Sequence, residues 1–213
     1  MFDLDGTLLN TLESIRYNVN YILQKHGIEP ISSEDCRKFV GGGAKKLMSL
    51  TLDKRAVFDE ERREKIFLEF FDYYNAHSDY LAQPYSGIRE LISELISRGL
   101  VLAVVSNKPQ RAAELAVEKF FPNSFKAVSG GRDGVPLKPD PTEPLSVLKK
   151  LGISPNECVY IGDSEVDMMT GKNMGAEKTV GVSWGFRDTN VLYKSGADIV
   201  VSRPDEIIEA VAL

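Results

Sequence analysis

Asp3-Leu4-Asp5-Gly6-Thr7, with only Met1 and Phe2 ahead of it, constrains this chain more than any other stretch. Side chains on a strand alternate faces, so two acids two positions apart at a strand end point the same way. Gly6 then allows a turn that brings backbone close to a ligand, and Thr7 adds a hydroxyl. Paired carboxylates of this kind suit phosphoryl transfer through a covalent intermediate. One aspartate attacks phosphorus and the other handles protons on the leaving group and the incoming water. Two carboxylates and a phosphate share a pocket only with a divalent cation, and Mg²⁺ commonly takes one or two carboxylates plus phosphate oxygens. The competing reading is an acidic turn after a buried strand.

The chain beyond Thr7 divides in two. Leu12, Ile15, Val19, Ile22 and Leu23 recur at helical spacing, with Thr11 as N-cap and Gly27 as stop. Further helices are expected from Ser32 or Ser33, over Ala44 to Leu52, and from about Asp59 to Tyr74, with Gly41-Gly42-Gly43 interrupting. No strand pattern occurs from Thr11 to about Leu81. Beyond Pro84-Tyr85-Ser86-Gly87, helices alternate with short apolar runs at Val101–Val105, Phe125–Val128, Cys158–Ile161, Thr179–Val182 and Ile199–Val201. Continuous apolar runs mark strands covered on both faces. The expected fold is therefore α/β: a doubly wound, Rossmann-like parallel sheet with an inserted helical cap. Residues 1–10 and 82–213 form the core and residues 11–81 the cap. A central strand ordinarily has more than two residues before its functional end, so the first strand is either a stub or short of a few apolar residues.

Ligands of doubly wound sheets bind at the carboxyl ends of strands, and three further stretches place polar groups there. Ser106 and Asn107 follow the Val101–Val105 run and can donate to phosphate oxygens; an ordinary helix cap is the alternative. Lys138, held between Leu137 and Pro139 after the glycine-rich stretch Gly130 to Gly134, can neutralise a phosphate and a nucleophile; a surface lysine before a Pro-started helix is the alternative. Gly162-Asp163 ends a buried strand, and Asp167 lies one helical turn on. Asp163 can ligate a metal directly and Asp167 can hold it or a bound water, while helix capping accounts for the same pair without excluding ligation.

In this order, over the whole chain, these motifs resemble the haloacid dehalogenase superfamily, and the insertion resembles its smaller helical cap. The resemblance implies that Asp3 is the phosphorylated nucleophile and Asp5 the general acid/base. It implies that Asp3, the Asp5 carbonyl and Asp163 surround Mg²⁺, with Asp167 completing the acidic surroundings. Ser106 and Lys138 would bind the phosphoryl group, with Asn107 and Thr7 supporting the same pocket. Asp5 weighs against dehalogenases and phosphonate-cleaving relatives, and Thr7 leans towards a phosphatase rather than a mutase. Lys138-Pro139-Asp140-Pro141 and Trp184-Gly185-Phe186-Arg187 look most like phosphoglycolate phosphatases. The implied activity is Mg²⁺-dependent hydrolysis of a small phosphorylated metabolite, foremost 2-phosphoglycolate. Pyrophosphatase, sugar phosphatase and β-phosphoglucomutase activities are the alternatives within the superfamily. A receiver-type signalling module also uses strand-end aspartates, but Asp5 and the large insertion speak against it.

Substrate choice is expected in the cap, at Arg37, Gly42, Gly43 and Lys46, where a glycine loop and a nearby cation can receive a carboxylate. Phe67, Phe70, Phe71, Tyr73 and Tyr74 read as the cap's own core. A net charge of −5 argues against nucleic-acid or membrane-surface partners, so an anionic substrate must be drawn by local groups. The two cysteines, Cys36 and Cys158, have no metal-like spacing and suit a reducing compartment. With no signal-peptide pattern or membrane-length apolar run, the expected setting is the cytoplasm, as a monomer or homodimer.

Overall fold

A computed structural model describes residues 1–211; the last two residues assigned to the core, 212 and 213, lie outside it. The first described residues enter the sheet at Phe2, which bridges Val104 on one side and Ile161 on the other. Phe2 N–H donates to the Ala103 carbonyl at 2.8 Å and its own carbonyl accepts from Val105 at 2.9 Å. On the other side Asp3 N–H donates to Ile161 and Ile161 N–H to Met1, both at 2.9 Å. Met1, Phe2 and Asp3 thus join two halves of one parallel sheet, and the Asp3 side chain leaves from its centre.

A short antiparallel pair stands at the root of the insertion: β1 (Leu9–Asn10) against β2 (Gln83–Pro84). Between them lie α1 (Leu12–Lys25), α2 (Ser33–Phe39), α3 (Ala44–Lys54) and α4 (Glu60–His77). The Ser32 and Asp59 side chains cap α2 and α4 by accepting from backbone N–H groups three residues on. Leu12, Ile15, Val19, Met48, Ile66 and Phe70 close a second apolar core among these helices, which Ala112 and Phe186 of the main body join at its edge. No strand pairs inside the insertion among the described residues, as its helical periodicity requires.

From β2 the chain continues through α5 (Ile88–Ser97), β3 (Ala103–Pro109), α6 (Gln110–Phe120), β4 (Ala127–Gly131) and α7 (Thr142–Leu151). It ends with β5 (Val159–Gly162), α8 (Glu165–Asn173), β6 (Lys178–Val182), α9 (Thr189–Lys194), β7 (Ile199–Val201) and α10 (Glu206–Val211). The sheet order is β4–β3–Phe2–β5–β6–β7, all parallel. Along β3 the faces alternate: Val104 packs with α5 and α6, whereas Ala103 and Val105 pack with α7.

Three sequence expectations shift here. The strand expected over Val101–Val105 begins at Ala103, and Val101 is 47% exposed. Gly99, at φ +80°, ends α5 in a left-handed turn with Leu100 N–H bonded to Leu95 and Gly99 N–H to Ile96, so Leu100 and Val101 are spent leaving the helix. At its far end β3 runs on through Ser106, Asn107 and Lys108, which lie within the strand rather than after it. Its pairing with β4 shifts between Val105 and Pro109, a bulge that turns these side chains towards the sheet's carboxyl edge. The strand expected over Phe125–Val128 is β4, which begins two residues later and ends three residues later, so Gly130 is sheet rather than loop. A Cβ on Gly130 would stand 2.6 Å from the Lys108 carbonyl, which is why the bulge needs glycine opposite it.

Candidate active site

Asp3, Asp163 and Asp167 converge at the carboxyl edge, each offering a carboxylate oxygen within 4.8 Å of the others. All three are buried. Asp163 is held from two sides: Thr7 Oγ1 donates to its Oδ1 at 3.1 Å, and Phe186 N–H to its Oδ2 at 2.7 Å. Glycines on either side make this possible. A Cβ on Gly6 (φ +88°) would fall 2.3 Å from Asp163 Oδ2, and one on Gly185 would fall 2.2 Å from Asp163 Cβ. Asp167 accepts from Ser164 Oγ at 2.6 Å and from Ser164 N–H at 3.1 Å, so helix capping and membership of the acidic cluster coincide.

Lys138 is the cation among these acids. Its ammonium lies 2.7 Å from Asp3 and 2.7 Å from Asp167 with the side chain 3% exposed. Burial would lower its pKa, but the Asp167 and Asp3 carboxylates outweigh it and hold the lysine charged. Burial pushes Asp3 up to about 6, with Lys138 opposing and the Asp167 and Asp5 charges reinforcing. Asp163 is raised for the same reasons, burial first and then repulsion from Asp167 and Asp3. Three carboxylates against one lysine leave excess negative charge in a desolvated site. An all-oxygen donor set with that charge fits a hard divalent cation.

Asn107 ties Lys138 to the cap. Its Oδ1 accepts from Lys138 N–H at 2.9 Å, while its Nδ2 donates to the Lys138 carbonyl at 3.1 Å and to the Gly41 carbonyl at 2.9 Å. Beneath the cap lies a cavity of about 50 Å³, walled on the core side by Asp3, Asp5, Ser106, Lys138 and Asp163. Ile15, Val40, Gly43, Leu47 and Phe70 wall it on the cap side.

The other expected substrate contacts lie elsewhere. Thr7 is 1% exposed and serves Asp163, outside the cavity wall. Arg37 is exposed and donates to the Gly185 carbonyl at 3.2 Å, and Lys46 is exposed beside Gly42, neither reaching the cavity. Gly43 lines it, as N-cap of α3 with no side chain capping that helix end.

Two cavity residues carry chemistry that sequence reasoning passed over. Lys108, with its side chain fully buried, sits 3.1 Å from Asp5 Oδ1 and 2.5 Å from the Tyr74 hydroxyl. Its position directly after Ser106-Asn107 was the available signal. Arg187 pairs with Glu165 at 2.8 Å and donates to the Arg37 and Val40 carbonyls of the cap, both at 2.7 Å. Tyr74 belongs to the cap core as expected, yet its hydroxyl reaches the site. Trp184 donates from Nε1 to the Thr7 carbonyl at 3.0 Å, bracing the first turn.

The chain is similar to known proteins over most of its length. The family model for haloacid dehalogenase-like hydrolases matches residues 1–182. An N-acetylmuramic acid 6-phosphate phosphatase from Pseudomonas aeruginosa is 34% identical over 98% of this chain and 92% of its own length. A phosphoglycolate phosphatase from Neisseria meningitidis is 32% identical over 97% of this chain and 87% of its own. A crystal structure described as a predicted phosphoglycolate phosphatase from Haemophilus somnus superposes with a TM-score of 0.91. It is 25% identical and is covered over 95% of its length by 98% of this chain.

Proposed function

The chain belongs to the haloacid dehalogenase-like hydrolase family, as a hydrolase of phosphoric monoesters, and from that premise we propose an Mg²⁺-dependent phosphatase of small carboxylated metabolites, foremost 2-phosphoglycolate. The observation that carries this reading is Lys138 bridging Asp3 and Asp167 on the floor of the cavity, with Asp5 held apart by Lys108. Asp3 is thereby an anion facing a pocket with cationic and hydroxyl partners for a phosphate, and Asp5, paired with Lys108, stands beside it to act on protons.

In the reaction Asp3 Oδ attacks phosphorus, and the bond from phosphorus to the ester oxygen breaks. Asp5 gives its proton to the departing alkoxide, leaving a phosphoryl group on Asp3. Asp5, now ionised, takes a proton from water, which attacks the same phosphorus and returns Asp3 with inorganic phosphate. Ser106 and Lys138 hold the phosphoryl oxygens, and Asn107 keeps Lys138 in place. Asp3, Asp163, Asp167 and the Asp5 carbonyl would hold Mg²⁺, whose charge offsets the crowding of carboxylates and phosphate. Residues 11–81 act as a cap that closes over the substrate and excludes water.

The close apolar wall that the cap sets over the cavity supports a compact leaving group. The uncapped N-terminus of α3 at Gly43 suits a substrate carboxylate. N-acetylmuramic acid 6-phosphate, which also carries a carboxylate, is the second reading. The 34% identical relative and the apolar wall of Ile15, Val40 and Leu47 favour it, and it requires a more open cap. Two buried free thiols, Cys36 and Cys158, support a reducing compartment such as the cytoplasm.

Phosphate release from 2-phosphoglycolate, N-acetylmuramic acid 6-phosphate, pyrophosphate, β-glucose 1-phosphate and an aryl phosphate, with and without Mg²⁺, tests this. A Mg²⁺-dependent preference for 2-phosphoglycolate is expected. Preference for the amino-sugar phosphate would select the second reading, and pyrophosphate alone would overturn both. Asp3→Asn is expected to lower kcat by at least about 10⁴-fold. Full activity in that variant, checked by mass for deamidation, would sink the covalent route.

A further inference from the structure

We propose that Lys108 is a positioning residue that ties the orientation of the Asp5 carboxylate to closure of the cap, through the Tyr74 hydroxyl. The inference rests on the reading of Asp5 as the acid/base group. Lys108 is the side chain that binds the Asp5 carboxylate among the described residues, at 3.1 Å to Oδ1 and 3.4 Å to Oδ2, so its ammonium straddles both oxygens. The same ammonium meets the Tyr74 hydroxyl at 2.5 Å and sits 4.7 Å from the centre of that ring.

The two anchors come from different bodies. Lys108 stands on the bulged end of β3 and belongs to the core, whereas Tyr74 lies near the end of α4. Tyr74 is 4% exposed and stacks on Phe70 at 5.4 Å, inside the cap's own apolar core. Its hydroxyl therefore travels with the cap as a whole. A lysine has a long flexible stem, and an ammonium held by one carboxylate alone retains several rotamers. With Tyr74 in place the ammonium has two fixed partners and a cation–π face, and the lysine side chain itself is fully buried.

The consequence concerns timing. Asp5 is steadied for proton transfer only while Tyr74 is docked, that is, while the cap covers the site. An open cap leaves Asp5 poorly oriented and slows the proton steps just when solvent is present. A chain with Lys108 but without the hydroxyl of Tyr74 would still close on its other contacts and lose part of this control.

Lys108→Met keeps stem length and removes the ammonium, and Tyr74→Phe keeps the ring and removes the hydroxyl. The alkyl ester used is 2-phosphoglycolate or N-acetylmuramic acid 6-phosphate, whichever the unmodified enzyme hydrolyses. The comparison is the first-turnover release of 4-nitrophenol from 4-nitrophenyl phosphate, whose leaving group departs without a proton. Lys108→Met is expected to lower kcat on the alkyl ester about 100-fold. KM and competitive inhibition by inorganic phosphate should stay within about twofold, and 4-nitrophenol release should fall less than about tenfold. Tyr74→Phe should show the same split at about tenfold, and the double variant should be no worse than Lys108→Met. Equal losses on both esters, a rise in KM with kcat preserved, or additive effects in the double variant would each overturn the proposal. Should Lys108→Met fail to fold, Tyr74→Phe decides by the same split. Asp5→Asn separates the two levels. If it abolishes alkyl-ester turnover while Lys108→Met is neutral, the positioning role alone falls. If Asp5→Asn is fully active, the acid/base reading falls and takes the positioning role with it.

Discussion

In the core, glycines press against the acidic side chains, whereas in the cap the glycine loop faces side chains that can move away. Gly6, Gly162 and Gly185 each leave less than 2.4 Å between an added Cβ and an atom of Asp163 or Asp167. A Cβ on Gly42 would also meet an atom at 2.4 Å, but that atom is the Cδ of exposed Lys46. The cap meets the site through a few polar bonds, from Asn107 to Gly41, Arg187 to Arg37 and Val40, and Lys108 to Tyr74. The core thus fixes the reacting groups by close packing, which has no slack. The cap is held by separable hydrogen bonds, each of modest worth, and by apolar contact with Ala112 and Phe186, as a part that opens must be.

The most severe way to break this contrast is Gly185→Ala. Its methyl group must displace Asp163, which should cost about 100-fold in kcat and about 3 kcal/mol of stability. A thermal melt beside steady-state kinetics would show both, and a variant with wild-type kcat would mean the acidic cluster is pliable.

Cation affinity sharpens the comparison from the electrostatic side. Asp3, raised to about 6 by burial against the pull of Lys138, holds a proton below that pH, and a cation must displace it. Mg²⁺ affinity should therefore rise at least tenfold per pH unit as pH climbs towards about 6, with proton release measurable by calorimetry. The sign for the metal-free protein is opposite. A raised carboxyl pKa means the native state binds the extra proton, so the Asp3 contribution is present below 3.8 and is lost as pH rises through about 6. Melting temperature without Mg²⁺ should fall over that window and recover when Mg²⁺ is added.

Arg187→Ala loosens only the cap. Losing its bonds to Arg37 and Val40 should raise KM about fivefold with little change in kcat, since about 1 kcal/mol of closure energy is removed. Amide exchange in α2 should quicken in parallel, and an effect on kcat alone would place Arg187 with the reacting groups instead. Gly42→Ala should do least, with kcat and KM within about twofold, because Lys46 can swing aside. A large loss there would mean the loop is as tightly built as the core.

Much of the site is written locally. Asp3-x-Asp5 on a strand end, Gly162-Asp163 after a buried run, and the four cap helices all arise from spacing and caps within a few residues of each other. These features survive folding because alternation and helical periodicity are set by the backbone next door. The first strand could be read only as a puzzle, since two residues carry no periodicity. What makes them a strand is pairing with Ala103, Val105 and Ile161.

Tertiary structure alone decided the remainder. Val101 has the residue type of a buried strand, but the turn after α5 consumed it, and the bulge opposite Gly130 carried β3 on to Lys108. Arg37 and Lys46 are cations near a glycine loop in sequence, yet they point away from the cavity. Lys108 reaches Asp5 across 103 positions and Tyr74 across 34. Residue types and short spacings record what a segment offers, but which partner takes the offer depends on where distant segments are packed.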